Sequence, residues 1–277
     1  MATFSERNGY EIASTAIQRE SLDDAVRRDV FNMFHAAQDN LRDQSNDSPW
    51  TVVDIVSMRH FHTTRDAIPS YTNFWEGVFK NGILAGQWNK TLDLIECTTT
   101  AYSSAASPAY GNLLTQRINE IFADHLVAYR FVNGEIAPLD TDEEAEAVDA
   151  AISDRDVPAS ARTHLAQAVS HLANRDERDL RNVVKESISA VESAARALGG
   201  GNGLVAALDA LSKEDPAPHK ALVDGWKKLY GWTSDDGGIR HGNNTVVEPG
   251  LPLAKWMLVS SAAMVTYLTD VSIGRDS

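Results

Sequence analysis

Leu180-Arg181-Asn182-Val183-Val184-Lys185-Glu186-Ser187-Ile188-Ser189-Ala190-Val191-Glu192-Ser193-Ala194-Ala195-Arg196-Ala197-Leu198 sets the architecture of the second half of the chain. Val184, Ile188, Val191, Ala195 and Leu198 recur at steps of three and four, the apolar stripe of an α-helix. Ser187, Ala190, Ala194 and Ala197 lie beside that stripe and are small enough to admit a second helix at close range. Gly199-Gly200-Gly201-Asn202-Gly203 then stops the helix. This glycine run follows a helix instead of a strand and has no Lys-Ser/Thr after it, so it reads as a stop and connector, not a phosphate loop. Residues 204–211 and 219–230 predict two further helices. Glu248-Pro249-Gly250-Leu251-Pro252 introduces a last one, with Leu253, Trp256, Met257, Ser260, Met264, Tyr267, Leu268 and Val271 as its seam. Helices joined by short links predict an antiparallel bundle.

Between the last two helices stands Leu229-Tyr230-Gly231-Trp232-Thr233-Ser234-Asp235-Asp236-Gly237-Gly238-Ile239-Arg240-His241-Gly242. Gly231 reads as a helix stop, and Thr233, Ser234 and Asp235 as N-cap residue types for the next turn. Arg240 and His241 are the candidate catalytic residues. A guanidinium offers a planar fork of donors that never loses its charge, and an imidazole changes charge near neutral pH. Held on one turn, the two can bind a phosphate and move a proton. Glu186 and Glu192 sit on the helix expected to face this turn, as candidates to orient His241. The plainer alternatives are a helix-capping Arg240, a surface His241, and a solvated face in which Glu192 pairs with Arg196.

Upstream, FSERNGY (residues 4–10) ends in an Asn8-Gly9 turn signal. Ser21, with Asp24 three residues on, marks a helix start. Leu22, Val26, Val30, Phe34, Ala37 and Leu41 fall on one face of that helix. Residues 44–49 form a polar break, and 51–62 fit either a strand or a helix. Residues 71–79 and 88–97 predict helices separated by Asn81-Gly82 and Gly86. Leu113, Leu114, Ile118, Ile121, Phe122 and Leu126 mark another. The period then changes: residues 129–139 predict a hairpin around Asn133-Gly134, with Pro138 at an edge. Thr141 and Glu144 cap an acidic helix over 142–152, and 157–172 is helical again. A charged bend at 174–179 marks the expected seam, giving domains 1–174 and 175–277.

The 277 residues suit two ordinary domains. One cysteine, Cys97, excludes an internal disulfide and a cysteine metal cluster. No uninterrupted apolar run reaches membrane length, and the N-terminus lacks a signal-peptide pattern. A cytoplasmic protein without a membrane partner is expected. Net charge is −14. From Arg175 onward 12 Lys and Arg face 14 Asp and Glu, so most of the negative charge lies earlier. That distribution disfavours a broad duplex-coating DNA binder and leaves room for a local anion site in the last third.

Other candidates carry less. His60 and His62 would share a face of a strand, but further metal ligands are not evident. Arg28 and His35 lie seven apart on one helix, a spacing near chance in a chain this long. His125, His164, His171 and His219 show no partners in sequence. The tryptophans and the stripe of Tyr71, Phe74, Trp75, Val78 and Phe79 read as core; base stacking is the alternative, without basic residues nearby to support it. No metal and no cofactor are expected.

FSERNGY, the helix opening at Glu20-Ser21-Leu22-Asp23-Asp24, and residues 129–136 resemble the N-terminal domain of AbiJ-type abortive-infection proteins. Residues 185–193 and 228–241 resemble the matching C-terminal region. The resemblance implies a mainly α fold: a helical N-terminal accessory or sensor domain with a small β-hairpin, followed by a HEPN-like bundle. It implies an antiphage defence effector that cleaves RNA without metal by 2′-OH attack, as a homodimer, under a phage-derived trigger or an antitoxin protein. HEPN enzymes usually carry Arg, four to six residues, then His. Here Arg240 and His241 are adjacent, so a non-catalytic module that binds RNA or a nucleotide, or senses phage, is the alternative.

Overall fold

The computed structural model describes residues 17–44, 48–174, 179–234 and 249–274, with Phe4 and Asn8. It is mainly helical, with one small antiparallel hairpin. The chain divides into two compact units, one over 1–136 with 140–142, the other over 137–139 with 143–277.

The first unit opens with α1 (Asp24–Gln44). Its cap is Asp23, not the expected Ser21: Asp23 Oδ1 accepts from the backbone N–H groups of Ala25 and Val26, each at 2.9 Å. All six residues of the expected apolar face are buried, Phe34 completely. The ambiguous 51–62 segment is a helix, α2 (Ser48–Arg59). Then comes α3, built of Tyr71–Asn73, a π-helical segment Phe74–Phe79, and Lys80–Ala85. Asn81 and Gly82 lie inside α3, and the break falls at Gly86, whose extended ψ of 159° ends the helix. Hydrogen bonding from i to i+5 aligns residues five apart. Phe74 and Phe79 therefore both reach the core beside Trp75, and Phe79 meets Phe34 edge-on at 5.5 Å between ring centres.

Helices α4 (Trp88–Ala105) and α5 (Pro108–Asp124) complete the helical core of this unit. Leu114, Ile118 and Phe122 of α5 are buried, whereas Leu113 and Leu126 point outward, against expectation. The hairpin pairs β1 (Arg130–Val132) with β2 (Glu135–Ala137). Its turn places Asn133 and Gly134 at φ 51° and 81°, the left-handed pair a two-residue hairpin needs. Among the described residues no carboxylate directly contacts the buried Arg27; it donates to the carbonyls of Leu22 and Ile83 and to Thr91 Oγ1.

The second unit contains α6 (Asp142–Ser153), α7 (Ala159–Ala173), α8 (Leu180–Gly199), α9 (Leu204–Leu211), α10 (Lys220–Ser234) and α11 (Leu251–Ile273). Packing places α6 and α7 in this unit. α8 is its central element, flanked by α7, α9 and α11. Its stripe of Val184, Ile188, Val191 and Ala195 is fully buried, and so are Ser187, Ala190 and Ala194. Small residues along one side of the stripe widen the face its neighbours can approach. Gly200, at φ 72°, caps α8, and an added Cβ on Gly199 would stand 2.5 Å from Leu211 Cγ.

α10 continues through Gly231 to Ser234, so Gly231 is no helix stop and Thr233 is a buried helical residue, not a cap. Thr233 Oγ1 satisfies itself on the Tyr230 carbonyl at 2.8 Å. Trp256, expected in the seam of α11, points outward. α11 is long and apolar enough to cross a membrane by length and composition. Here it packs against α8 and α7, with Met257, Leu258, Val265 and Leu268 buried.

Candidate functional site

Four residues carry the expected catalytic chemistry. Arg240 and His241 lie outside the described residues, as do most of FSERNGY, the polar break at 45–47 and the bend at 175–178. The structure does describe α10 and α11, the helices before and after residues 235–248.

Between α10 and α11 runs an open groove of about 770 Å³. Leu222, Gly225, Trp226 and Leu229 line it from α10, and Trp256, Met264 and Tyr267 from α11. Trp256 is about half exposed, at 52%. Lys228 borders the groove, and α10 as a whole carries three lysines against one aspartate in an otherwise acidic chain. Lys227 pairs with Asp209 of α9. The groove therefore combines aromatic faces with a locally positive edge. Sequence periodicity assigns these tryptophans to the core, because it cannot separate a buried stripe from an unfilled one.

Glu186 is committed elsewhere in the bundle. Its Oε2 lies 2.6 Å from Nδ1 of His164 on α7, and Lys185 Nζ is 3.8 Å from its other oxygen. His164 is the partner the sequence did not show, since the two are 22 residues apart on different helices. A carboxylate at that distance accepts from a proton on Nδ1. Glu192 reaches toward the start of α9, where a Cβ on Gly203 would stand 4.0 Å from its Oε1.

Three of the other histidines have local partners. His125 Nε2 is 2.7 Å from Asp29, His35 Nδ1 is 3.5 Å from Asp39, and His219 Nδ1 accepts from the N–H of Ala221. His60 and His62 instead line a polar cleft in the first unit with Lys90, Asp93 and Glu96. Among the described residues no group of three His, Cys, Asp or Glu side chains is arranged to hold a metal ion.

Comparison with known proteins adds the family. The chain matches AbiJ N-terminal domain 4 over residues 2–154, more than half its length, and it belongs to that family. An AbiJ N-terminal domain marks an abortive-infection protein of phage defence. No curated protein and no solved structure matches the chain.

Proposed function

We propose that this abortive-infection protein acts through its second unit as a HEPN-like, metal-independent endoribonuclease, with the AbiJ domain as its accessory or sensor part. The observation that carries this reading is the aromatic groove with its lysine edge, formed by the two helices that flank Arg240 and His241. Unpaired bases stack on such surfaces at about 1–3 kcal/mol each, and single-stranded RNA presents such bases. In sequence, the segment that carries Arg240 and His241 joins these two helices.

In the proposed reaction His241 takes the ribose 2′-OH proton. The 2′ oxygen attacks the adjacent phosphorus, the bond to the 5′ oxygen breaks, and the products are a 2′,3′-cyclic phosphate and a 5′-hydroxyl. Arg240 stabilises the charge gathering on the phosphoryl oxygens. Protonating the leaving oxygen takes a second acid, which His241 of a second copy would supply in a homodimer. Glu192, or Glu186 if it releases His164, would orient the imidazole.

The test is infection itself. Cells expressing the protein are challenged with phage, and plating efficiency and RNA integrity are followed. Wild type should reduce plaques and accumulate cleaved RNA, while Arg240→Ala and His241→Ala should lose both effects at equal protein levels. Protection that persists in both variants with intact RNA would refute the nuclease and favour a module that senses phage or binds RNA without cutting it. The adjacency of Arg240 and His241, in place of the spaced pair, is the feature that favours that second reading.

A further inference from the structure

We propose that a polar cleft in the AbiJ domain binds a nucleoside monophosphate, with its phosphate on Arg59 and His62 and the edge of its base on Glu96. The cleft lies between the end of α2 and one stripe of α4, holds about 580 Å³, and is lined by polar or titratable side chains and the Cys97 thiol. That volume is in the range of small-ligand sites, about 300–1,000 Å³.

The first support is backbone strain at a position facing the cleft. α2 ends with the N–H of Phe61 donating to the Val56 carbonyl and that of Thr63 to the Ser57 carbonyl. This closes the helix through a left-handed residue, a place glycine usually takes. Here it is His62, at φ 52°. Holding a histidine in that conformation costs stability a glycine would not, and such strain gathers at ligand sites. An imidazole at the cleft rim accounts for the choice.

The second support is the arrangement of charge. Asp93 is already held by Lys90, 2.9 Å away. Among the described residues, no carboxylate comes within ion-pair distance of Arg59. A guanidinium so placed suits the fork geometry of a phosphate. On the α4 side, Glu96 is anchored by the Ile136 N–H at 2.8 Å. Burial pushes its carboxyl upward, toward the neutral form. One of its oxygens takes the Ile136 N–H, which leaves the other to accept from the N–H edge of a heterocyclic base. Thr100 adds a hydroxyl at the same wall. Thiol chemistry is disfavoured, because burial also raises the Cys97 pKa.

Isothermal titration of the full chain with AMP, GMP, CMP and UMP, with adenosine and inorganic phosphate as probes of each end, tests the site. At least one monophosphate should bind with Kd below about 1 mM, and adenosine and phosphate at least ~10-fold more weakly. Arg59→Ala should weaken it by ~10-fold or more, the loss of a charge-assisted hydrogen bond, while Arg240→Ala should not. His62→Gly is the decisive variant: it should raise Tm by relaxing the left-handed residue and yet weaken nucleotide binding to a similar degree. The proposal is overturned if no monophosphate binds, if phosphate or adenosine alone binds as tightly, or if His62→Gly binds like wild type.

Discussion

Glu96 shows how one side chain couples the fold to pH. Its carboxyl is raised mainly by burial, opposed by the Ile136 N–H, with Glu135 and Asp93 adding to the rise. A folded value above the unfolded one means the native state holds the proton longer. That contribution is present below the ordinary glutamate value of about 4.3 and is lost as pH rises through the raised folded value. Glu96→Gln keeps an oxygen for the Ile136 N–H and removes the titration. Its Tm should exceed that of wild type at pH 7, and the gap should shrink as pH falls toward 4; a gap that grows in acid would contradict the assignment. Arg27 makes the opposite case, a buried cation satisfied by carbonyls. Arg27→Ala orphans the Leu22 and Ile83 carbonyls and opens a cavity, so urea denaturation should show a loss of about 2–4 kcal/mol. A loss under ~0.5 kcal/mol would mean water replaces the guanidinium. The His164–Glu186 contact is measurable by a double-mutant cycle, with coupling of about 0.5–1.5 kcal/mol expected. Neither the contact nor the rise at Glu96 is visible in sequence, because both depend on which helices become neighbours.

Among the elements, legibility follows the strength of the local signal. The six-residue stripe of α1, the seam of α8 from Val184 to Ala195, the Asn133-Gly134 turn and the glycine stop after α8 are where the sequence puts them, because each is decided within one or two turns of chain; Leu198 is only half-buried and Ala197 is exposed. Three elements departed for identifiable reasons. α2 has a weak amphipathic pattern because Val52, Val53 and Val56 are buried together, which resembles a strand as much as a helix. The dipeptide Asn81-Gly82 stays helical because α3 is held at both flanks by the buried Phe79 and Ile83. Gly231 stays helical because Trp226 and Thr233 on either side of it are buried. Tertiary burial outweighs glycine's roughly 1 kcal/mol helix penalty. Close approach matters most where α8 meets α9. Gly199→Ala would drive a methyl against Leu211 and the Ala207 carbonyl, so it should lower stability by about 1–3 kcal/mol. An unchanged urea midpoint would show that α9 can shift without cost.

For the whole molecule, the family assignment covers the first 154 residues, and the chemistry proposed for the second unit rests on its own side chains. The acidic first unit is a poor surface for nucleic acid at large, and its polar cleft is suited to a small ligand. The second unit concentrates lysines on α10 and aromatic faces in the groove beside α11. Arg240 and His241 stood out in sequence by residue chemistry; the groove between α10 and α11 did not, since an aromatic stripe reads as core until its neighbours are known. The most direct measurement is cleavage of total RNA by purified protein in excess EDTA, alone and in lysate from phage-infected cells, beside Arg240→Ala and His241→Ala variants of confirmed fold. The account predicts cleavage that survives EDTA, leaves 2′,3′-cyclic phosphate ends, and disappears in both variants. Cleavage that EDTA abolishes, or that persists in the variants, or the absence of cleavage in both settings, would contradict it.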